Sequence, residues 1–389
     1  MKIVGLFKHI AFRSVSRIMD VLFCAAPLEN KVVFTAYSGA RYDCNPRAVS
    51  EKLHLLYPEV KQTWLMKDPD SIKLPDYVHV VRYGSFSMFI ELKTAKVWVD
   101  NGTKSQWINK RKGQYFLETW HGGLGFKKMS TEYKQYKLSD ILRDRHSLSM
   151  TDCFLTDSKW TTDLYSRLYP YYKGKFWECG YPRTDILYDK DTIGLVNTQI
   201  RKEYGIPQDS LVILYAPTYR LDNDPRHFKI DFEKVIEAME IRYRKKTFVF
   251  VKLHHWSEKL ENNICEYTDK VINMTHYPHM QKLYMAADFF ITDYSSGIFE
   301  YAILRKPAFL YADDLEQYCQ EERGLYFDLH ETPFPFAETQ DNLIQNLTGV
   351  DYKSYIEKLD KFYTATGFID TSESSKNVCD TIAAYLGSD

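Results

Sequence analysis

This sequence predicts an α/β fold made of two parallel-sheet domains in tandem, and three observations carry the prediction. Short apolar runs of strand length alternate with helical patterns in two successive series, which is the signature of a parallel sheet covered on both faces. Each run ends in a polar cluster, where open α/β sheets place their ligands. The chain has 389 residues, too many for one core of ordinary size and suited to two.

Composition narrows the class. With 26% charged and 44% hydrophobic residues the chain reads as a globular protein, and a net charge of −1 argues against bulk electrostatic binding of nucleic acid. The 30 Tyr and 23 Phe suggest large cores and a surface that touches sugars, bases or lipid headgroups. The 7 Cys are scattered, odd in number and contain no Cys-x-x-Cys pair, so neither a disulfide framework nor a zinc site is expected, and a reducing compartment follows. Asn101-Gly102-Thr103, Asn273-Met274-Thr275 and Asn346-Leu347-Thr348 match the glycosylation pattern, but with no secretory signal they read as chance matches.

In chain order, residues 1–26 come first. Lys2, Lys8, His9, Arg13, Arg17 and Asp20 leave no uncharged run of the ~20 residues a spanning helix needs. On a helical wheel Ile3, Phe7, Ile10, Ile18, Val21 and Leu22 share one side, with Lys2, His9, Arg13 and Asp20 opposite. Such a stripe either lies in an anionic membrane surface or packs on the protein's own core. Pro27 ends the element.

The first series of strands is expected at 31–37, 63–66, 78–81, 95–99, 114–120 and 153–156, with a helix entered through Asn45-Pro46 and another capped by Ser158. The second is expected at 211–215, 247–251, 289–291 and 308–311. The polar stretch 190–209 reads as the linker, which sets domains at 27–190 and 191–389. No Gly-x-Gly-x-x-Gly follows a strand and no P-loop is present, so dinucleotide and P-loop NTPase readings lose support.

The strand ends carry the chemistry. Phe289-Phe290-Ile291 runs into Thr292-Asp293-Tyr294-Ser295-Ser296-Gly297, which reads as a strand turning into a helix whose first turn offers hydroxyls and free amides to an anion. An ordinary capped helix is the plain alternative. His121 precedes Gly122-Gly123, so the backbone can turn sharply there and leave the imidazole at an edge, able to take a proton from a hydroxyl. The plain alternative is a buried histidine bonded to a carbonyl. Arg220, Lys252 and His254 follow neighbouring strands of the second series, and a diphosphate needs cations of this kind. Taken singly, Arg220 and Lys252 could equally be solvated rim charges. No carboxylate spacing of a metal site is evident, so protein cations would take a leaving group's charge.

Six segments follow one another along the chain. They are Trp120-His121-Gly122 with Lys127-Lys128, Gly180-Tyr181-Pro182-Arg183-Thr184-Asp185, and Tyr215-Ala216-Pro217-Thr218. Then come Lys252-Leu253-His254, Thr292-Asp293-Tyr294-Ser295-Ser296 with Lys306-Pro307, and Arg323-Gly324-Leu325-Tyr326-Phe327-Asp328. Together they resemble the CDP-glycerol glycerophosphotransferase family, the teichoic acid primases and polymerases of bacterial walls, over about residues 30–328. Gly123-Leu124 replaces a Thr-Pro often found there, and His255 stands where a Pro often follows the Lys-x-His segment. These departures bear on the acceptor and the alditol more than on the reaction class.

The resemblance implies a GT-B-like fold, α/β with two Rossmann-type parallel-sheet domains facing a cleft, the first binding acceptor and the second the CDP donor. It implies transfer of glycerol phosphate or a related alditol phosphate from a CDP-activated donor to a hydroxyl, releasing CMP. His121 would be the general base, with His254 as a second catalytic residue. Thr218, Arg220, Lys252, Asp293, Ser295, Ser296 and Glu300 would bind the donor, and Lys127, Arg183, Asp185 and Arg323 are further candidates. No cofactor, metal or nucleic acid is expected. The partners implied are CDP-glycerol or another CDP-alditol, an undecaprenyl-diphosphate-linked saccharide and a membrane surface, with the protein peripheral at the cytoplasmic face. Rival readings are a GT-B glycosyltransferase using a nucleotide sugar, a CDP-ribitol-dependent transferase, and a catalytically idle wall-assembly scaffold.

Overall fold

The computed structural model describes residues 14, 16–70 and 74–387. Two compact units emerge, and neither is contiguous in sequence. The first comprises residues 1–123, 135–185 and 373–389, and the second comprises 124–134 and 186–372.

The first unit is built on seven parallel strands: β1 (Glu29–Thr35), β2 (Lys61–Met66), β3 (Val78–Arg82), β4 (Ala95–Asp100), β5 (Tyr115–Glu118), β6 (Cys153–Thr156) and β7 (Lys175–Glu178). Their order across the sheet is β3-β2-β1-β4-β5-β6-β7. The order reverses between β1 and β4, whose register pairs Thr35 with Asp100. Alternation along β1 sends Val32 and Phe34 into one buried cluster and Val33 into the other, so both faces of the sheet are packed.

The second unit has six parallel strands: β8 (Leu211–Tyr215), β9 (Thr247–Val251), β10 (Val271–Asn273), β11 (Phe289–Thr292), β12 (Ala308–Tyr311) and β13 (Phe336–Ala337). Their order is β10-β9-β8-β11-β12-β13, so here the reversal falls between β8 and β11. In such sheets ligands bind outside the carboxyl ends of the strands at the reversal.

Three strands escape the sequence pattern. Lys175–Glu178 starts and ends on exposed charges, and Val271–Asn273 and Phe336–Ala337 are only three and two residues long. All three are edge strands, where an apolar run is not required. The stretch read as a linker is mostly a helix, Lys190–Glu203, capped by Asp189 and belonging to the second unit, and its Arg201 is buried against Asp288 at 2.9 Å. The domain limits of 27–190 and 191–389 therefore differ from the compact units, whose long break falls after Asp185. The last helix, Ser374–Leu386, returns to the first unit because Val378, Cys379, Ile382 and Leu386 join the cluster around Val49, Leu53 and Trp64.

Most of the N-terminal amphipathic helix expected over 1–26 lies outside the described residues. Its end is described, and residues 16–22 are helical. Ser16 and Met19 are buried, and Asp20 pairs with Lys93 and accepts from Asn109 at 2.9 Å. Ile18, Val21 and Leu22 are 58%, 72% and 65% exposed, so at this end the apolar stripe is a face that the described residues leave uncovered. No helix among the described residues is long and apolar enough to cross a membrane.

Candidate functional site

His121 sits three residues past β5, on a turn fixed from three sides. Trp120 has φ 51, a left-handed conformation that costs a bulky residue of order 1–3 kcal/mol and persists only where its surroundings enforce it. Its N–H donates to Glu118 Oε1 at 2.9 Å, and its carbonyl accepts from Asn45 Nδ2 at 2.9 Å. Arg183 Nη2 then donates to the His121 carbonyl at 2.9 Å. Burial, followed by the nearby Asp100 charge, holds the Glu118 carboxyl well above the usual carboxylate range.

The two glycines after His121 act differently from the expectation. Neither has positive φ, so the sharp turn is made by Trp120. A Cβ on Gly123 would stand 1.7 Å from Asp157 Oδ2, so this glycine is required by a close approach, while Gly122 has nothing within 4 Å of a built Cβ. The Gly122 carbonyl accepts from the hydroxyls of Tyr165 and Tyr181, each at 2.8 Å.

As a residue His121 is exposed, which departs from the alternative of a sealed structural histidine, while its ring is bonded to a carbonyl as that alternative has it. Its Nδ1 lies 2.6 Å from the Asn101 carbonyl. A carbonyl oxygen only accepts, so Nδ1 carries the proton and Nε2 presents a lone pair. The protein mass around the ring, and then the Arg183 charge, lower its pKa below the ordinary value against a raising effect of the Asn101 carbonyl. A neutral imidazole with its outer nitrogen unprotonated is poised to accept a proton. Its flanks are Trp120, at 4.8 Å between ring centroids, and Tyr37, edge-on at 5.6 Å.

Each sheet is tied at its reversal point by one side chain. In the first, Asn101 after β4 accepts from the Tyr37 N–H beyond β1 at 2.7 Å. In the second, Asp293 after β11 accepts from the Thr218 N–H beyond β8 at 2.8 Å and from the Tyr294 N–H at 2.5 Å. Of the eight non-glycine residues with positive φ among those described, Tyr37, Ser38, Cys44 and Trp120 all belong to the His121 neighbourhood.

The cations nominated from sequence divide into two groups. Arg220 is only 2% exposed and is consumed internally. It donates to Asp293 at 2.8 Å, to both oxygens of Asp314 at 2.7 and 3.1 Å and to the Thr218 carbonyl at 2.6 Å, with Tyr294 and Tyr318 on its faces. Its guanidinium is a buried fork joining the ends of β8, β11 and β12. Lys252 likewise donates to the carbonyls of Met274, Thr275 and Tyr277 at 3.3, 3.1 and 2.6 Å, holding the turn after β10.

Lys127 and Arg323 form the other group. The segment 124–134 pairs with 324–326 through the Lys127–Leu325 bridge and the Lys128 N–H to the Gly324 carbonyl at 2.8 Å. Burial is the first cause lowering the Lys127 pKa to about 8, with Asp293 opposing and Arg323 assisting. At that value the amine is still mostly charged at neutral pH. Arg323 lies over the Tyr133 ring at 4.1 Å.

His254 caps the turn after β9 and sits between Tyr219 and Trp256, at ring distances of 4.9 and 5.3 Å. Its Nδ1 accepts from the Trp256 N–H at 3.3 Å, so Nε2 carries the proton and the ring is a donor, the opposite tautomer to His121. Ser295 and Ser296 are half-buried, and Ser295 Oγ accepts from the Gly297 N–H at 3.2 Å. The helix that follows, Gly297–Ala302, is only six residues long. Glu300 accepts from Gln281 at 3.1 Å. Asp185 accepts from the Ser374 and Ser375 N–H groups at 3.2 and 2.6 Å, so it anchors the last helix. Asp222, Asp224 and His227 have ligand atoms within 4.8 Å of one another and could hold a cation.

Sequence reading overlooked Asn101, Asn45, Tyr37 and Asp314. The signal available in the sequence is position: Asn101 directly follows the strand that ends at Asp100.

Two parallel-sheet α/β units with polar clusters at their reversal points make a GT-B-like fold. A structure of a variant of the wall teichoic acid polymerase TagF soaked with CDPG matches with a TM-score of 0.82 and 25% identity, over 99% of this chain and 95% of that one. The family model described as CDP-glycerol:poly(glycerophosphate) glycerophosphotransferase matches residues 18–384, and the chain belongs to that family. Relatives include the teichoic acid glycerol-phosphate transferase of Staphylococcus aureus, 28% identical over 375 residues, 93% of this chain and 95% of that protein. The teichoic acid poly(glycerol phosphate) polymerase of Bacillus subtilis is 28% identical over 378 residues, 92% of this chain and 49% of that protein. The chain thus spans about half the length of that polymerase and of its Staphylococcus epidermidis counterpart.

Proposed function

We propose that this chain transfers glycerol phosphate from CDP-glycerol to an acceptor hydroxyl in wall teichoic acid synthesis. The observation that carries the reading is the exposed residue His121, whose Nδ1 is committed to the Asn101 carbonyl. Family membership supplies the reaction class. The acceptor oxygen attacks the phosphorus that bears glycerol. Its proton passes to His121 Nε2, a new O–P bond forms, and the P–O bond to the cytidylate breaks, releasing CMP. The second unit carries the donor: His254 Nε2–H, Lys127, Arg323 and the Ser295–Ser296 hydroxyls supply charge and hydrogen bonds to the diphosphate. Thr218, Asp293 and Arg220 shape the floor beneath it.

The acceptor is an undecaprenyl-diphosphate-linked saccharide or growing polymer, and the enzyme works at the cytoplasmic face of the membrane. Supporting this, Ile18, Val21 and Leu22 form an apolar strip on a helix that the described core leaves uncovered.

The test is CMP release from CDP-glycerol with a lipid-linked saccharide, with CDP-ribitol, UDP-sugars and GDP-sugars run in parallel. His121→Ala should lower turnover by ~10²–10⁴. A cognate donor at a hundred times its Kd should still stabilise that variant by ~2.7 kcal/mol. Failure of every CDP-alditol to yield CMP would overturn the reading.

A further inference from the structure

We propose that Tyr37 is the acceptor platform, its ring taking the carbon face of the sugar or glycerol unit whose hydroxyl loses its proton to His121. The proposal rests on His121 being the base and goes one step past it. A base must stand within ~2.6–3.2 Å of the oxygen it deprotonates, so the carbon skeleton bearing that hydroxyl lies close to the imidazole. The only rings in contact with the imidazole among the described residues are Tyr37 and Trp120. Trp120 packs against the buried Phe154 at 5.6 Å, whereas Tyr37 is 38% exposed and keeps surface for a ligand.

Its placement is built. Tyr37 and Ser38 have φ 49 and 54, consecutive left-handed residues that neither side chain favours. Asn101, wholly buried, holds the Tyr37 N–H with its side chain at 2.7 Å and the His121 ring with its carbonyl at 2.6 Å. One residue therefore fixes the spacing between base and ring, at the point where β1 and β4 reverse the strand order. The apolar C–H face of a polyol stacks on an aromatic ring while its hydroxyls remain free to hydrogen-bond, which is the chemistry an alditol or saccharide acceptor needs.

Steady-state kinetics of Tyr37→Ala and Tyr37→Phe test this, with CDP-glycerol as donor and a lipid-diphosphate-linked saccharide as acceptor. Tyr37→Ala should raise the acceptor KM about tenfold and leave the CDP-glycerol KM unchanged, as expected for loss of one ring contact. Tyr37→Phe, which keeps the ring, should stay within about twofold of the parent. If the alanine variant does not fold, Tyr37→Leu takes its place with the same expectation. Equal effects on both substrates, an unchanged acceptor KM, or a Tyr37→Phe enzyme as poor as Tyr37→Ala would overturn the proposal. Those outcomes are separate from failure of the base assignment, which would show as full turnover in His121→Ala.

Discussion

The main-chain carbonyl of Asn101 lies 2.6 Å from Nδ1 of His121, and this one contact decides which nitrogen of the ring can act as a base. The lowered pKa keeps the imidazole neutral to lower pH than an ordinary histidine. Turnover should therefore rise with pH along an acid limb centred below the usual ~6.5. At the other end, Lys127 loses its charge through about pH 8, and if it binds the diphosphate, activity should fall there. A pH profile of CMP release checks both limbs. Lys127→Arg should remove the alkaline limb without moving the acid one; an alkaline limb that stays in place would take Lys127 out of the donor site.

Gly122 and Gly123 separate backbone need from sequence appearance. Gly123→Ala drives a methyl into Asp157, a carboxylate that accepts from Ser158 and Thr161 at 3.1 and 2.8 Å and cannot easily yield. It should cost ~1–3 kcal/mol of stability and displace the His121 turn. Gly122→Ala meets open space and should change stability by no more than ~0.5 kcal/mol. Thermal melts of the two variants, with turnover measured on each, settle the contrast; equal losses would mean that the Asp157 approach is unimportant.

Both sheets were legible because buried parallel strands are written as continuous apolar runs, as in Leu211–Tyr215 and Thr247–Val251. His121 was legible because it follows such a run. The partners of these residues were not. Asn101 acts on His121 through its main chain, which leaves no mark in residue type, and its neighbour at Tyr37 is 64 residues away. Arg220 reads the same in sequence whether it faces a phosphate or two buried carboxylates. Only the topology, by placing β8 between β9 and β11 and β12 beyond β11, shows that Asp293 and Asp314 converge on it. The last helix was assigned to the wrong unit for a related reason: its apolar face specifies burial but not the partner.

Arg220 consequently predicts a loss of stability before any loss of donor affinity. Asp293 and Asp314 are 3% and 8% exposed at the side chain, so removing the guanidinium strands buried negative charge. Arg220→Ala should cost ~3–5 kcal/mol. Arg220→Lys restores the charge but not the fork that spans both carboxylates, and should recover only part of that loss. Denaturant melts read the cost directly. An Arg220→Ala protein that melts like the parent yet binds CDP-glycerol poorly would return the residue to the role of a phosphate ligand.

The exposed strip at the end of the N-terminal helix permits a sharper test than deleting the segment, because deletion also removes Met19 and Asp20, which hold the helix to the core. Ile18→Ser, Val21→Ser and Leu22→Ser together change only side chains that stand in solvent. Their effect on folding stability should stay within ~0.5 kcal/mol per site. If the strip enters an anionic lipid surface, its apolar area contributes to binding, and the triple variant should partition at least ~tenfold less onto vesicles rich in acidic lipid. Sedimentation with such vesicles, beside a thermal melt of the same preparation, distinguishes the outcomes. Unchanged pelleting would mean that the strip does not mediate attachment, whereas a lowered melt with unchanged pelleting would assign it to the protein's own packing.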